Sequence, residues 1–273
     1  MTARNTTYRA LRQLSVVMLV TWLVLPLIPL AIWSVSKGWF FPNILPRKWT
    51  LDAWAYAFSD TAGVLDAFAL SLWISGWATL MAIAVGVPAG RALGLYNFPG
   101  KSAVQLLILA PTIVPGIATV LGLQNVFLTL GLANTVYGVI LAHLIPTLPY
   151  MTLVMAGVFA NFDPAFEAQA RSLGARPTQI FRHVTLPAIL PGLVAGALFA
   201  FLVSWSQYIL TLVIGGGRVQ TLPLALFNFA GSGRNDITGT IAMIYVLPGV
   251  LFLIFTARYL SGRNTALTQL GRP

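Results

Sequence analysis

The sequence predicts an all-α, polytopic membrane protein with six transmembrane helices, and three observations carry that expectation. Apolar side chains make up 58% of the 273 residues, whereas Asp, Glu, Lys and Arg together make up 8%, against about 25% in a soluble domain. The apolar residues gather in six long runs, each near or above the ~20 residues that a helix needs to cross a bilayer. The cations fall between those runs rather than along one stripe. The formal charge of +10 therefore speaks of membrane orientation, not of a nucleic-acid-binding face.

The first run, 14–32, follows Arg4, Arg9 and Arg12. It is longer than the roughly 7–15 residues of a signal-peptide core, which favours a retained anchor, although Ser34-Val35-Ser36 offers a small-x-small cleavage pattern. Further runs cover 67–89, 103–130, 136–159, 186–214 and 241–259, each long enough to cross with some tilt. Between them lie 37–66, 91–102, 131–135, 161–185, 215–239 and a tail from 260. With a cytoplasmic N-terminus, the inner segments hold eleven of the 16 cations: Arg4, Arg9, Arg12, Arg91, Lys101, Arg171, Arg176, Arg182, Arg258, Arg263 and Arg272. The outer segments hold Lys37, Arg47, Lys48, Arg218 and Arg234. The positive-inside rule thus places both termini in the cytoplasm, and the whole chain, 1–273, reads as one membrane domain. A β-barrel would need apolar and polar residues to alternate, and these runs are apolar throughout.

Two runs are punctuated by Pro and Gly, at Ala110-Pro111-Thr112-Ile113-Val114-Pro115-Gly116 and at Leu144-Ile145-Pro146-Thr147-Leu148-Pro149. Such residues free backbone groups that neighbouring helices or a water-filled path must satisfy. They fit a helix bent around a gated path, and they also fit the ordinary enrichment of Gly and Pro in membrane helices.

The segment 161–185 is longer than packed helices need between them. Asp163 suits an N-cap, Pro164 the first helical position and Gly174 a left-handed stop. Phe166, Ala170 and Leu173 then share one apolar face, so a short amphipathic helix of about ten residues is expected here, too short to span. Pro177 starts a second short helix that carries Ile180, Phe181 and Val184 toward Leu186 and Pro187, where the next span opens.

This loop resembles the membrane permease subunits of binding-protein-dependent ABC importers of the type I architecture, and is nearest to permeases for polyamines, iron, thiamine and related small solutes. Their signature reads Glu-Ala-Ala, three residues, Gly, nine residues, an aliphatic residue, any residue, then Leu-Pro. Here Gly174 is followed at those distances by Val184, Leu186 and Pro187, with Ala170 and Arg171 before it. Ala168 and Gln169 stand where the signature has Glu and its first Ala, and Glu167 lies one residue early. Weaker likenesses are Trp49-Thr50-Leu51-Asp52, Phe98-Pro99-Gly100-Lys101 and Leu148-Pro149-Tyr150.

The resemblance implies the type I importer permease fold, with 161–185 forming coupling helices that dock on a separate ATPase subunit. The coupling residues are then Phe166, Glu167, Ala168, Gln169, Ala170, Arg171, Gly174, Ala175, Pro177, Phe181, Val184, Leu186 and Pro187. It further implies two ATPase subunits that bind the ATP and Mg, a second similar permease chain, an extracytoplasmic solute-binding protein, and a place in the bacterial inner membrane. No cofactor belongs to this chain.

No enzymatic site is expected in this chain, and so no catalytic or metal-ligating residues. Gly100-Lys101-Ser102 looks like the end of a phosphate-binding loop, but the earlier glycine is missing, since position 95 is Leu and Gly94 is displaced by one. It reads as a helix-entry turn. The absence of Cys removes thiolate chemistry. His143 lies in the fourth run, where an interhelical hydrogen bond is favoured over a functional role; His183 belongs to the loop surface. No two carboxylates are placed for acid–base work.

Polar candidates for a translocation path are Trp205, Ser206, Gln207 and Tyr208 in the fifth run, which by resemblance lines the path, and Gln124 and Asn125 in the third. They can equally hold helices together. The function expected is a permease for a small polar solute. An ion-coupled carrier would need ionisable groups within its spans, and the central parts of these runs have essentially none; half of a two-repeat carrier would leave the long loop without a purpose, and a non-transport scaffold would show no solute-dependent ATPase stimulation. With no carboxylate near Gln207, a polycation would find no countercharge in this segment.

Overall fold

The computed structural model describes the backbone of residues 3–40, 42–114 and 116–270, with side chains over 12–40, 42–114 and 116–257. The side chains of Arg4, Arg9, Arg258 and Arg263, and Pro115 and Arg272 altogether, lie outside the described residues. Among those described, secondary structure is helical apart from one isolated bridge pairing Ser36 with Trp49. Four helices are long and apolar enough to cross a membrane, and two bent pairs raise the number of spans to six if each pair counts as one. The chain divides into two compact units, Met1–Asp66 with Ala225–Leu247, and Ala67–Leu224 with Pro248–Pro273.

In the first unit, α1 (Ala3–Val24) and α2 (Leu27–Ser34) form a bent pair with a 48° angle around Leu25 and Pro26. The following segment folds back when Lys37 N–H donates to Lys48 O and Thr50 N–H to Val35 O, at 3.1 and 3.0 Å. It ends in the short α3 (Asp52–Ala57). Gly239 lets the start of α13 (Asn235–Leu270) lie against α2, since a Cβ there would sit 2.6 Å from Leu30 O and 2.9 Å from Ser34 N. Arg234 stacks over Tyr56, whose ring meets Phe229 of α12 (Leu222–Gly231) edge-on. This short apolar helix occupies part of the segment 215–239, which the sequence reads only as a connection. At ten residues it is below spanning length.

The second unit is built around α7 (Val136–Ala160), the most buried of the long spans. Thr135 caps it by accepting from Gly138 N–H at 2.9 Å. Pro146 and Pro149 leave it one continuous helix. Between them the Thr147 hydroxyl donates back to His143 O at 2.9 Å and to Leu144 O at 3.2 Å. Against α7 lies α4 (Val64–Leu95), whose Gly86, Gly90 and Gly94 recur every fourth residue on one face. A Cβ at Gly86, Gly90 or Gly94 would come within 2.5–2.6 Å of Met151, Met155 and Ala156 respectively. The bare backbone of α4 is thus what permits the seam over Met151, Met155 and Phe159, all at most 1% exposed.

The third run does bend. Helices α5 (Lys101–Ile113) and α6 (Gly116–Thr129) meet at 101°. Gly100, at φ +82°, forms the entry turn to α5, and the Lys101 ammonium caps Tyr96 O at 3.0 Å.

The fifth run breaks where its sequence turns polar. Helix α10 (Leu186–Trp205) stops and α11 (Ile209–Gly215) starts across Ser206, Gln207 and Tyr208. The carbonyl of Val203, freed by the break, accepts from Ser206 Oγ and Gln207 Nε2, both at 3.1 Å. Many side chains on these spans stay uncovered, as an apolar solvent permits: lipid is no worse a neighbour for Leu than another Leu.

Candidate functional site: the loop between α7 and α10

The expected short helix forms as α8 (Ala165–Ser172). Asp163 Oδ1 accepts from Ala165 N–H at 2.9 Å, satisfying one of the open donors at the helix start. At the other end Gly174 adopts φ +83°, its N–H donates to Arg171 O, and Ala175 N–H reaches back to Ala170 O. Those two bonds with a left-handed residue between them are a Schellman stop. A Cβ at Gly174 would meet nothing within 4 Å, so the position needs glycine for its backbone angle and not for space.

The chain then turns into α9 (Pro177–Ile180), with Gln179 Oε1 accepting from Arg176 N–H at 2.8 Å. Rather than standing apart, α9 continues through a wide π-helical turn, Phe181–Thr185, directly into α10. The extra residue in that turn keeps Ile180, Thr185 and Ile189 on the buried face despite their uneven spacing.

Burial on α8 runs opposite to ordinary amphipathic packing. Phe166 and Leu173, two members of its apolar face, are 57% and 88% exposed, and the buried residue is Glu167, at 7%. Glu167 faces the bundle because Arg91 waits there, near the C-terminal end of α4. The Arg91 Nη1 and Nη2 donate to Glu167 Oε1 and Oε2 at 3.0 and 2.7 Å, the bidentate geometry that makes an arginine–carboxylate pair strong. Thr185 Oγ1 adds a third bond to Oε1 at 2.6 Å. The guanidinium also lies over the Phe159 ring of α7, 5.6 Å from its centroid.

Burial alone would raise the Glu167 carboxyl; the hydrogen bonds from Arg91 and Thr185, with the charges of Arg91 and Arg171, outweigh it and hold the group below its ordinary 4.5. A group depressed by folding adds stability above its ordinary value, and that contribution is lost as pH falls through the lower, folded value. Protease resistance of the loop should therefore persist from neutral pH down to 4.5 and fall only below it; loss of protection nearer neutrality would contradict the pairing.

The other loop residues singled out in the sequence surround this anchor. Ala168, Gln169, Arg171, Gly174, Pro177 and Phe181 are exposed, whereas Ala170, Ala175, Val184, Leu186 and Pro187 are half-buried. Between α8 and α9 a concavity of about 470 Å³ is lined by Ala170, Leu173, Gly174, Ala175, Ile180 and Val184, among others. His183 is exposed, with Nδ1 3.0 Å from Gln179 O. Arg91 and Thr185 were not among the candidates. Arg91 counted only as an inner-side cation, and Thr185 occupies the unrestricted position before Leu-Pro.

Of the path candidates, Ser206 is exposed and Gln207 and Tyr208 are half-buried at the break between α10 and α11. Trp205 is 3% exposed, stacked on Phe201 and edge-on to Phe68. Gln124 and Asn125 lie on α6, which packs on α11.

His143 is buried and spans the same break, with Nδ1 2.8 Å from Ser204 Oγ and Nε2 3.0 Å from Thr211 Oγ1. The Thr211 hydroxyl already donates to Gln207 O at 2.9 Å, so it accepts from Nε2–H. In the neutral imidazole Nδ1 then accepts from Ser204. One imidazole thus ties α7 to both sides of the break, the interhelical role the sequence favours. Replacing His143 by Ala should lower stability by roughly 2 kcal/mol from two lost bonds and a cavity, read by thermal unfolding in detergent; an unchanged midpoint would contradict the tie.

Residues 86–265 match the model of a family described as binding-protein-dependent transport system inner membrane component, and the chain belongs to that family. It is 32% identical over 197 residues to the trehalose transport system permease protein SugB of Mycobacterium tuberculosis, covering 70% of this chain and 72% of that one. It is 26% identical over 235 residues to the spermidine/putrescine transport system permease protein PotC of Haemophilus influenzae, covering 86% and 90%. Its fold matches a chain in the crystal structure of a bacterial ABC transporter involved in the import of the acidic polysaccharide alginate, with a TM-score of 0.70 over 95% of this chain and 98% of that one at 17% identity. The protein is a multi-pass inner-membrane permease subunit of an ABC importer, helical with four to six apolar spans and with the fold of that class.

Proposed function

We propose that 161–185 is the surface on which an ATPase subunit docks, and that this partner supplies the ATP- and Mg-binding chemistry. The observation that carries the reading is the inverted burial of α8: its carboxylate is held inward while Phe166 and Leu173 point away from the bundle. Apolar side chains clustered outward on an extramembrane segment mark a surface for a partner. The concavity between α8 and α9, lined by small residues, offers that partner a place for a side chain. Phe181, 50% exposed at the π-helical turn, extends the same surface.

With the loop cytoplasmic, both termini face the cytoplasm, in keeping with the cation distribution. A second permease chain faces this one, two ATPase subunits sit beneath the pair, and an extracytoplasmic protein delivers the solute; the whole chain serves as one permease domain. Ser206, Gln207 and Tyr208 line the path at the helix break, with Gln124 and Asn125 contributing from α6, while Trp205 supports them from the aromatic cluster. These groups offer hydroxyl and amide contacts without charge. They suit a small polar solute, a class to which the trehalose of the SugB system belongs.

The chain contains no Cys, so a single cysteine introduced by Leu173→Cys gives an unambiguous probe. Crosslinking of that residue to a co-expressed ATPase subunit is the expected result. Its modification instead by a membrane-impermeant thiol reagent added outside intact cells would overturn the docking role and the orientation together.

A further inference from the structure

Glu167 is the hub of three elements that are distant in sequence. Its partner Arg91 lies 76 residues away on α4, and Thr185 lies 18 residues on, at the end of the π-helical turn that opens α10. Through the Phe159 ring the guanidinium also touches α7. Apolar contact is non-directional and lets surfaces slide. A bidentate pair with a third hydrogen bond fixes position and orientation together.

The bundle does not need this pair to close. Gly86, Gly90 and Gly94 already hold α4 on α7 by direct backbone approach, and α8 has its own cap and its own Schellman stop. What Arg91, Glu167 and Thr185 add is a fixed link between a short extramembrane helix and two long spans. The residue spacing of the π-helical turn serves the same link, because it turns the Thr185 hydroxyl inward while leaving Phe181 and Arg182 exposed.

We infer that Arg91, Glu167 and Thr185 form a latch through which displacement of α8 is delivered to α4 and α10, so that Arg91 and Glu167 are positioning residues for coupling rather than contacts for the ATPase. The inference rests on the docking role proposed for 161–185. A rigid-body shift of a docked helix reaches the spans only through connections that do not yield, and this is the only ion pair among the described residues whose carboxylate is buried.

The test uses the assembled transporter in lipid vesicles, with bimane attached to Leu80→Cys, an exposed position on α4. Two readouts are compared: ATP hydrolysis, and the bimane change on trapping with ATP and vanadate. In Glu167→Gln the bimane change should fall at least about threefold while hydrolysis continues, and Arg91→Glu combined with Glu167→Arg should recover it. A full bimane response in Glu167→Gln overturns the latch and leaves the docking role standing. Parallel loss of hydrolysis and bimane response without recovery in the double variant also overturns it, as the mark of a merely structural pair. Failure of the wild-type chain to bind ATPase subunits would sink the docking role itself.

Discussion

Gly90→Leu is expected to weaken assembly of the helical bundle sharply. A Cβ at this position would lie 2.5 Å from Met155 Cβ and 2.9 Å from Ala156 N. The second of these is backbone, which cannot rotate aside, so α4 and α7 must separate. Separation opens the contact over Met151, Met155 and Phe159, and within lipid no hydrophobic drive between helices makes good the lost packing. A loss of about 3 kcal/mol or more is expected, enough to consume much of a typical margin of folding. The measurement is the yield and thermal midpoint of detergent-purified protein. Gly76→Leu, on the same helix where a Cβ meets nothing within 4 Å, serves as the control. Equal behaviour of the two variants would show that the seam is not set by close backbone approach.

Phe166→Asp combined with Leu173→Asp should leave the bundle intact and abolish capture of the ATPase subunits. Both side chains are exposed, and substitutions at such positions usually change stability by less than ~0.5 kcal/mol. Burial of each against a partner would contribute about 1.5–3 kcal/mol, so losing both, with a charge driven into the interface, should weaken association at least about 100-fold. Co-purification of ATPase subunits with the variant reads this directly. Undiminished capture would remove α8 from the interface and turn its outward apolar face into an accident of packing. The double variant differs from Glu167→Gln in kind, because it should lose the partner, whereas the inward substitution should keep it and lose transmission.

Local sequence carried the loop's ends well. The Asp163 cap and the left-handed stop at Gly174 both form, since each depends on a side chain or backbone preference acting within a few residues. The apolar periodicity of Phe166, Ala170 and Leu173 was equally legible, yet periodicity identifies a face without saying what covers it. The Pro-rich runs show the same limit. The bend falls between α5 and α6, at 101°, while α7 remains continuous through Pro146 and Pro149. The break at Ser206 to Tyr208 lies inside a run whose length alone suggested one uninterrupted helix.

By itself, the sequence determined the class of this protein: a helical membrane chain with a loop of a particular spacing, because hydropathy, caps and glycine stops act locally along the backbone. Tertiary structure alone decided that Glu167 turns inward to meet Arg91, that His143 bridges a broken helix, and that the apolar side of α8 faces outward. These depend on which distant residues arrive at the same place. A buried carboxylate is stable only where its countercharge is also brought, and no periodicity within α8 records the position of a guanidinium on another helix.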